Sequence, residues 1–135
     1  MEGLALPCDG NHLFGLMQHL LLQDGERHDG GKPRGRHCRL VQVDIESGAV
    51  SEFVYTLDSP ENGLNEITAI GPDEFLLIER DSELGTTAMF KKIMKISLTG
   101  GTVLSGQPSL PDDIRPVRKE VFIVFCRPSF RCLLS

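Results

Sequence analysis

The sequence has no tryptophan, only one tyrosine and no excess of positive charge. Its 14 lysines and arginines are outnumbered by 19 aspartates and glutamates, which leaves a formal net charge of −5. This balance argues against a protein that coats nucleic acid or an anionic membrane, because both tasks need a basic surface. No apolar run approaches the roughly 18 residues that a membrane-spanning helix requires. We therefore expect no nucleic-acid partner and no membrane span.

The four cysteines (Cys8, Cys38, Cys126 and Cys132) are too few and too scattered for a disulfide scaffold. The N-terminal segment has no basic region before its apolar residues, so we expect no signal peptide there, and the compartment stays undetermined. Fourteen glycines and eight prolines indicate a turn-rich chain rather than a helical bundle. Composition therefore predicts an acidic, β-rich protein and indicates no function.

Alternation of apolar and polar residues, which is typical of half-buried β-strands, dominates the chain. The only segment with some helical character is Phe14–Gln23, where Gly15 favours a strand that ends near Gln18 and is followed by a loop. The predicted strands Cys38–Ile45 and Val50–Leu57 are separated by a short turn and are expected to form a hairpin. The remaining predicted strands are Glu2–Leu6, Asn65–Ile70, Glu74–Arg80, Lys91–Leu98 and Val121–Phe125.

The strands form an internal repeat, because Glu2–Leu6 matches Glu66–Ile70 and Arg39–Ile45 matches Lys92–Leu98. Each unit consists of a strand, a tight turn, a strand, a long loop, a strand, a glycine turn and a last strand. Four short antiparallel strands per unit are typical of one β-propeller blade, so we predict an all-β domain of about two blades over residues 1–125. A divergent basic tail, residues 126–135, follows. Two blades leave two apolar faces uncovered, so we expect the chain to need further blades or a partner for stability.

Several segments, in their order and spacing, resemble the phytase-like family, also called the esterase-like activity of phytase family. The resemblance extends to about Ile123, after which the sequence diverges, as in a partial member of the family. It implies a propeller-like domain in larger, often exported proteins that act on phosphate or carboxyl esters. Since calcium-dependent propeller phytases use clustered carboxylates, Ca²⁺ is the cofactor that the resemblance allows, with no ligands assigned. The matching segments are Glu2–Leu6, Gly35–Gly48, Leu64–Ile70, Phe75–Arg80 and Lys92–Gly101.

Several common catalytic motifs are absent. No serine lies in a G-x-S-x-G elbow, so serine-esterase chemistry has no support in the sequence. The Gly30–Lys32 segment lacks the first glycine and the final Ser or Thr of a phosphate-binding loop, which favours a flexible basic loop over Gly30–Arg36. The spacing of His12, His19, His28 and His37 fits no recognised zinc site.

Carboxylates and basic residues at strand ends remain as candidates for a site. Glu66 begins a strand that would line the propeller channel, and Glu79, Arg80 and Asp81 end the next strand. We predict that Glu66, Glu79 and Asp81 act as general base or hold a cation, and that Arg80 and Lys92 bind a small anionic ester. The alternative is that Glu66 and the Glu79–Arg80 pair join adjacent blades in a non-catalytic interaction module, or in a truncated product with no independent activity.

Overall fold

The structure of the chain, a computed structural model, describes residues 1–26, 34–81 and 91–125. Strands account for nearly all the regular structure in these ranges, and the single helical element is a 3₁₀ turn at Leu22–Asp24. Within the same ranges, no helix has the length and apolar character needed to cross a membrane. The strands are β1 (Gly3–Ala5), β2 (His12–Leu16), β3 (His37–Asp44), β4 (Val50–Thr56), β5 (Gly63–Ala69), β6 (Glu74–Arg80), β7 (Lys91–Ser97) and β8 (Arg118–Val124).

The eight strands form two antiparallel four-stranded sheets, each in sequential order. Sheet 1 has the order β1-β2-β3-β4 and sheet 2 has the order β5-β6-β7-β8. The all-β prediction and its division into two four-stranded units are confirmed. Sequential antiparallel order within each sheet is consistent with two propeller-like blades.

The predicted strands agree with the observed ones to within a few residues. The hairpin of β3 and β4 is confirmed, with Cys38 opposite Tyr55 in the register. The segment at Phe14 is a strand followed by irregular chain, as expected, although β2 already ends at Leu16. β8 begins at Arg118, before the predicted Val121, because the polar residues at its start continue the ladder with β7.

The hydrophobic core lies between the two sheets, and each sheet contributes one face to it. The rings of Phe14 from β2 and Phe75 from β6 meet with centroids 4.6 Å apart and an interplanar angle of 57°. Such tilted aromatic pairs contribute about 0.5–1.5 kcal/mol beyond the burial of their area. Because side chains alternate across a strand, each sheet also has an outer face that is turned away from this core.

The first strands of the two sheets approach each other closely at Gly3. A Cβ atom at Gly3 would lie 2.9 Å from the backbone nitrogen of Ile67 in β5. β5 carries a bulge here, and Glu66, between Asn65 and Ile67, has a left-handed φ of 50°. A bulge leaves one residue outside the ladder and bends the strand, which fits its position at the closest approach of the sheets.

The connection between β7 and β8 differs from the glycine turn that the repeat predicts. It is much longer, and its residue Leu104 exchanges two backbone hydrogen bonds of 2.8 Å with Glu52 at the outer edge of β4. The amide of Val117 also donates to the carbonyl of Val54 at 2.8 Å. A segment of the second unit therefore covers the edge of sheet 1, which joins the two sheets at their outer strands as well as at Gly3.

Candidate functional site

Most of the predicted site residues lie at one end of sheet 2, where β6 ends and β5 and β7 begin. We call this the Arg80 end. The register of β6 and β7 places Glu79 opposite Lys92 and Arg80 opposite Lys91. Since neighbouring residues on a strand point to opposite faces, the Glu79–Lys92 pair lies on the core face and the Arg80–Lys91 pair on the outer face. Glu79 and Arg80 therefore do not converge on one point.

Glu79 is completely buried between the two sheets. Its carboxylate accepts hydrogen bonds from the Tyr55 hydroxyl, from the backbone amide of Asp58 at 2.6 Å and from the Asn62 side-chain amide at 2.9 Å. The Lys119 ammonium lies 3.6 Å from the carboxylate. Buried carboxylates are tolerated where donors satisfy them in this way. Because Tyr55 belongs to sheet 1 and Glu79 to sheet 2, the network joins the sheets.

Burial of this region also shifts the pKa values of its weak acids. Burial raises the pKa of the Tyr55 hydroxyl well above its usual value, and its hydrogen bond to Glu79 adds to the effect. Burial, with a contribution from the Glu79 charge, raises the pKa of the Cys38 thiol to about 12. Both groups therefore stay protonated, so Tyr55 remains a donor to Glu79.

Asp58 connects Lys92 and Lys119 at the margin of this network. Its two carboxylate oxygens lie 2.6 Å from the Lys119 ammonium and 3.7 Å from the Lys92 ammonium. Lys119 also donates to the carbonyl of Thr56 at 2.5 Å and lies 4.8 Å from the centroid of the Tyr55 ring. Burial alone would raise the pKa of Asp58, but the hydrogen bond and charge of Lys119, with the charge of Lys92, lower it.

Arg80 lies on the other side of sheet 2, and the half-buried Asp81 directly follows the end of β6. The Arg80 guanidinium donates to the Asn65 side-chain oxygen at 2.7 Å and to the carbonyl of Asp81 at 2.9 Å. Its donors are therefore partly engaged by neutral acceptors, and Arg80 is half-buried. Glu66 lies further along β5, is exposed and does not contact Glu79. The structure thus brings Glu79 and Lys92 together through Asp58, and separates both from Arg80 and Glu66.

A second buried charged group lies on the outer face of sheet 1, and the sequence offered only a partial signal for it. Arg39, which matches Lys92 in the repeat, is 2% exposed and forms a two-point contact with Asp24 at 2.6 and 2.7 Å. It also donates to Glu52 at 2.8 Å and to the carbonyl of Gln107 at 2.9 Å. Arg39 therefore fixes the 3₁₀ turn, β4 and the β7–β8 connection to one strand.

The residues that complete the Glu79 network were not predicted as site residues. Tyr55 is the only tyrosine of the chain, and Lys119 lies among the basic residues at the start of β8, which are the two signals that the sequence contained. Asp58 and Asn62 come from the β4–β5 connection, whose position relative to β6 depends on the packing of the sheets.

Calcium does not fit the carboxylates that the structure describes. Over residues 1–26, 34–81 and 91–125, no three His, Cys, Asp or Glu side chains are grouped to hold a metal ion. Both oxygens of Glu79 already accept hydrogen bonds, whereas Ca²⁺ takes six to eight oxygen ligands.

Some predictions concern residues outside the described ranges. The basic loop Gly30–Arg36 is described only from Arg34, whose guanidinium pairs with Glu61 at 2.5 Å. His28 and the tail at residues 126–135 lie outside the described residues.

Comparison with known proteins identifies one family. The model of the phytase-like family, described as esterase-like activity of phytase, matches residues 1–131. The match covers both sheets and extends beyond Ile123. No curated protein and no solved structure matches the chain.

Proposed function

Because the chain belongs to the phytase-like family, we propose that it forms two adjacent blades of a β-propeller-like domain that binds a small anionic ester at the Arg80 end. The sequential order of the strands, the shared core and the close approach of β1 to β5 support this arrangement. Propeller folds host both enzymes and binding modules, so the site, and not the fold, must decide between them.

The observation that carries the proposal is the strand register at this end. Lys92 lies opposite Glu79 and Lys91 lies opposite Arg80, so three basic residues occupy neighbouring backbone positions, with Arg80 and Lys91 on the outer face and Lys92 on the core face. An arginine binds phosphate through two parallel hydrogen bonds and a lysine binds it as a point charge. In the proposal, Arg80 and Lys92 bind the anionic group from the two faces of the strand ends.

The carboxylates take different roles in this proposal. Glu66 and Asp81 are the candidates for general base, which would take a proton from the water that attacks the ester. The negative charge that develops on the ester is stabilised by Arg80 and Lys92. Glu79 acts as a positioning residue, because its oxygens are engaged by Tyr55, Asp58 and Asn62, and it holds Asp58 beside Lys92.

A non-catalytic binding module is the second candidate. The observation in its favour is that Glu79 and Asp58 are engaged by donors and ammonium groups of the chain itself. A group that is already satisfied is a weak proton acceptor. In this case the Arg80 end binds an anion without hydrolysing it.

Two assays with the full chain separate these candidates. The first measures turnover of p-nitrophenyl phosphate and p-nitrophenyl acetate with and without Ca²⁺, and the second measures binding of inorganic phosphate by calorimetry. We expect turnover without added Ca²⁺ and weaker phosphate binding in Lys92→Gln. Lys95→Gln is the matched control, because Lys95 lies on the same strand and also pairs with one carboxylate, Glu74 at 3.5 Å, but is opposite Leu76, away from the Arg80 end.

The outcomes are distinct. Turnover that is lost in Lys92→Gln and kept in Lys95→Gln supports an esterase or phosphatase site. Phosphate binding that depends on Lys92, with turnover no faster than in buffer, supports the binding module. Absence of both turnover and binding in a folded chain contradicts the proposed site.

A further inference from the structure

Each sheet has an uncovered apolar patch on its outer face, among the residues that the structure describes. On sheet 1 this patch lies beside the part of the face at Arg39 that the 3₁₀ turn and the β7–β8 connection cover. On sheet 1, Leu4 is 60% exposed and Val50 is 50% exposed, and on sheet 2, Ile123 is 42% exposed. Half-buried aliphatic residues adjoin them on the neighbouring strands. They are Leu13, Val41 and Val43 on sheet 1 and Leu76, Ile78 and Ile93 on sheet 2.

Charged residues border the outer face of sheet 2 but do not interrupt its centre. Lys95 lies 3.5 Å from Glu74 and 4.0 Å from Glu120, and Arg80 binds Asn65 at the other end of the face. An apolar centre with a polar border is the usual composition of a protein–protein interface.

The repeat indicates what this face is built to contact. The match of Arg39 with Lys92 aligns Leu40 with Ile93, the next residue of each strand. Leu40 pairs with Leu16 in sheet 1, and Ile93 pairs with Ile78 in sheet 2. The first pair is fully buried against sheet 2, whereas the second lies on the outer face of sheet 2. The same position in the repeat is therefore covered by a sheet in one unit and uncovered in the other.

We propose that the outer face of sheet 2 packs against the uncovered part of the outer face of sheet 1, around Leu4 and Val50, in a second copy of the chain. The contact would repeat the one that sheet 1 already makes with sheet 2 within the chain. Since the two faces belong to different sheets, the interface is head-to-tail, and such interfaces close into rings when the rotation between copies permits. The proposal rests on the propeller-like arrangement proposed above and not on ester binding.

Two single substitutions, each placing a lysine on one of the two faces, test the interface. Leu4→Lys alters only the outer face of sheet 1, and Ile93→Lys alters only the outer face of sheet 2. Leu22→Lys is the control, because Leu22 is 64% exposed and lies in the 3₁₀ turn, outside both sheets. The oligomeric state of each full-length variant is measured by sedimentation velocity across a wide concentration range, without any substrate.

We expect the unaltered chain and Leu22→Lys to form oligomers, and Leu4→Lys and Ile93→Lys each to be monomeric. An equimolar mixture of the two monomeric variants should form a one-to-one dimer, because each variant retains the face that the other has lost. Circular dichroism checks that the variants are folded. If either is not, Val50→Lys and Ile123→Lys replace them on the same two faces.

A monomeric unaltered chain would overturn the proposal. So would a mixture of the two variants that stays monomeric. Self-association that persists in Leu4→Lys and is lost in Ile93→Lys would instead identify a two-fold contact between two sheet 2 faces. None of these results depends on turnover or phosphate binding, so failure here leaves the proposed function open to its own assays.

Discussion

The chain buries two charged groups, and the two are stabilised in opposite ways. Arg39, on the outer face of sheet 1, is bound by two carboxylates and one carbonyl. Glu79, between the sheets, is bound mainly by neutral donors, with the Lys119 ammonium at 3.6 Å. Both satisfy the requirement that a buried charge has partners.

The difference shows what each group holds in place. The partners of Arg39 are the 3₁₀ turn, β4 and the β7–β8 connection, so it fixes the segments that cover sheet 1. The partners of Glu79 come from β4 and the β4–β5 connection, so it fixes sheet 1 to sheet 2. Loss of Arg39 should loosen the segments that cover sheet 1. Loss of Glu79 should loosen the packing of sheet 1 against sheet 2.

The largest effect is expected for Arg39→Ala. The substitution leaves the fully buried side chain of Asp24 and the largely buried Glu52 without their cation. Removal of one partner of a buried ion pair costs about 3–5 kcal/mol, so we expect a loss of that size in the free energy of unfolding. Urea denaturation followed by circular dichroism measures it.

Arg34→Ala is the control for this substitution. Its ion pair with Glu61 is exposed on both sides, and exposed pairs contribute little to stability. Equal losses of the free energy of unfolding in the two variants would contradict the conclusion that the buried ion pairs of Arg39 stabilise the fold.

A loss of similar size in the free energy of unfolding is expected for Glu79→Ala, which leaves the Tyr55 hydroxyl, the Asp58 amide and the Asn62 side-chain amide without their acceptor. Each unsatisfied buried donor costs about 1–3 kcal/mol, and the cavity adds to this. Glu79→Gln keeps the shape of the side chain and one acceptor oxygen, so the free energy of unfolding should fall clearly less than in Glu79→Ala. The same urea titration compares them, and an alanine variant as stable as the unaltered chain would disprove the network.

Tyr55→Phe should have a smaller effect than Glu79→Ala, because it removes one hydrogen bond and keeps the ring in the core. Hydrogen bonds to charged groups contribute about 1.5–3 kcal/mol. A double-mutant cycle with Glu79→Gln measures the coupling between the two side chains. Additive losses would indicate that the hydroxyl and the carboxylate do not interact.

The smallest effect is a pH dependence from Asp58. Its pKa in the folded chain is lowered below the ordinary value of 3.8, so its ionised form contributes stability at neutral pH. That contribution is present above the unfolded pKa and is lost as the pH falls through the folded pKa. The free energy of unfolding should therefore fall below about pH 4 by less in Asp58→Asn than in the unaltered chain. Identical pH profiles would contradict the contact with Lys119 and Lys92.

The sequence was sufficient to predict the strands and their grouping. The alternation in Glu74–Arg80 is strong because one face of the strand is buried in the core between the sheets. Val50–Leu57 was recognised by its β-branched and aromatic residues, and three consecutive residues of this strand, Phe53–Tyr55, are buried. The repeat match of Arg39 with Lys92 corresponds to a structural similarity. Each residue lies in the third strand of its sheet and forms an ion pair with at least one carboxylate.

The site could be predicted only in part. Glu79 and Lys92 were predicted as site residues from a strand end and from the repeat, and the structure places them opposite each other in the register of β6 and β7. The separation of Arg80 from Glu79 follows from side-chain alternation and could have been recognised from the sequence. The contributions of Tyr55, Asn62 and Lys119 could not, because they depend on how the two sheets pack against each other.

The two four-stranded sheets share one core, face to face. Nuclear Overhauser contacts between the ring protons of Phe14 and Phe75 test it most directly, since the ring centroids lie 4.6 Å apart and the residues belong to different sheets. We expect strong contacts between the two rings in the folded chain. Well-resolved signals for both rings with no contact between them would contradict it.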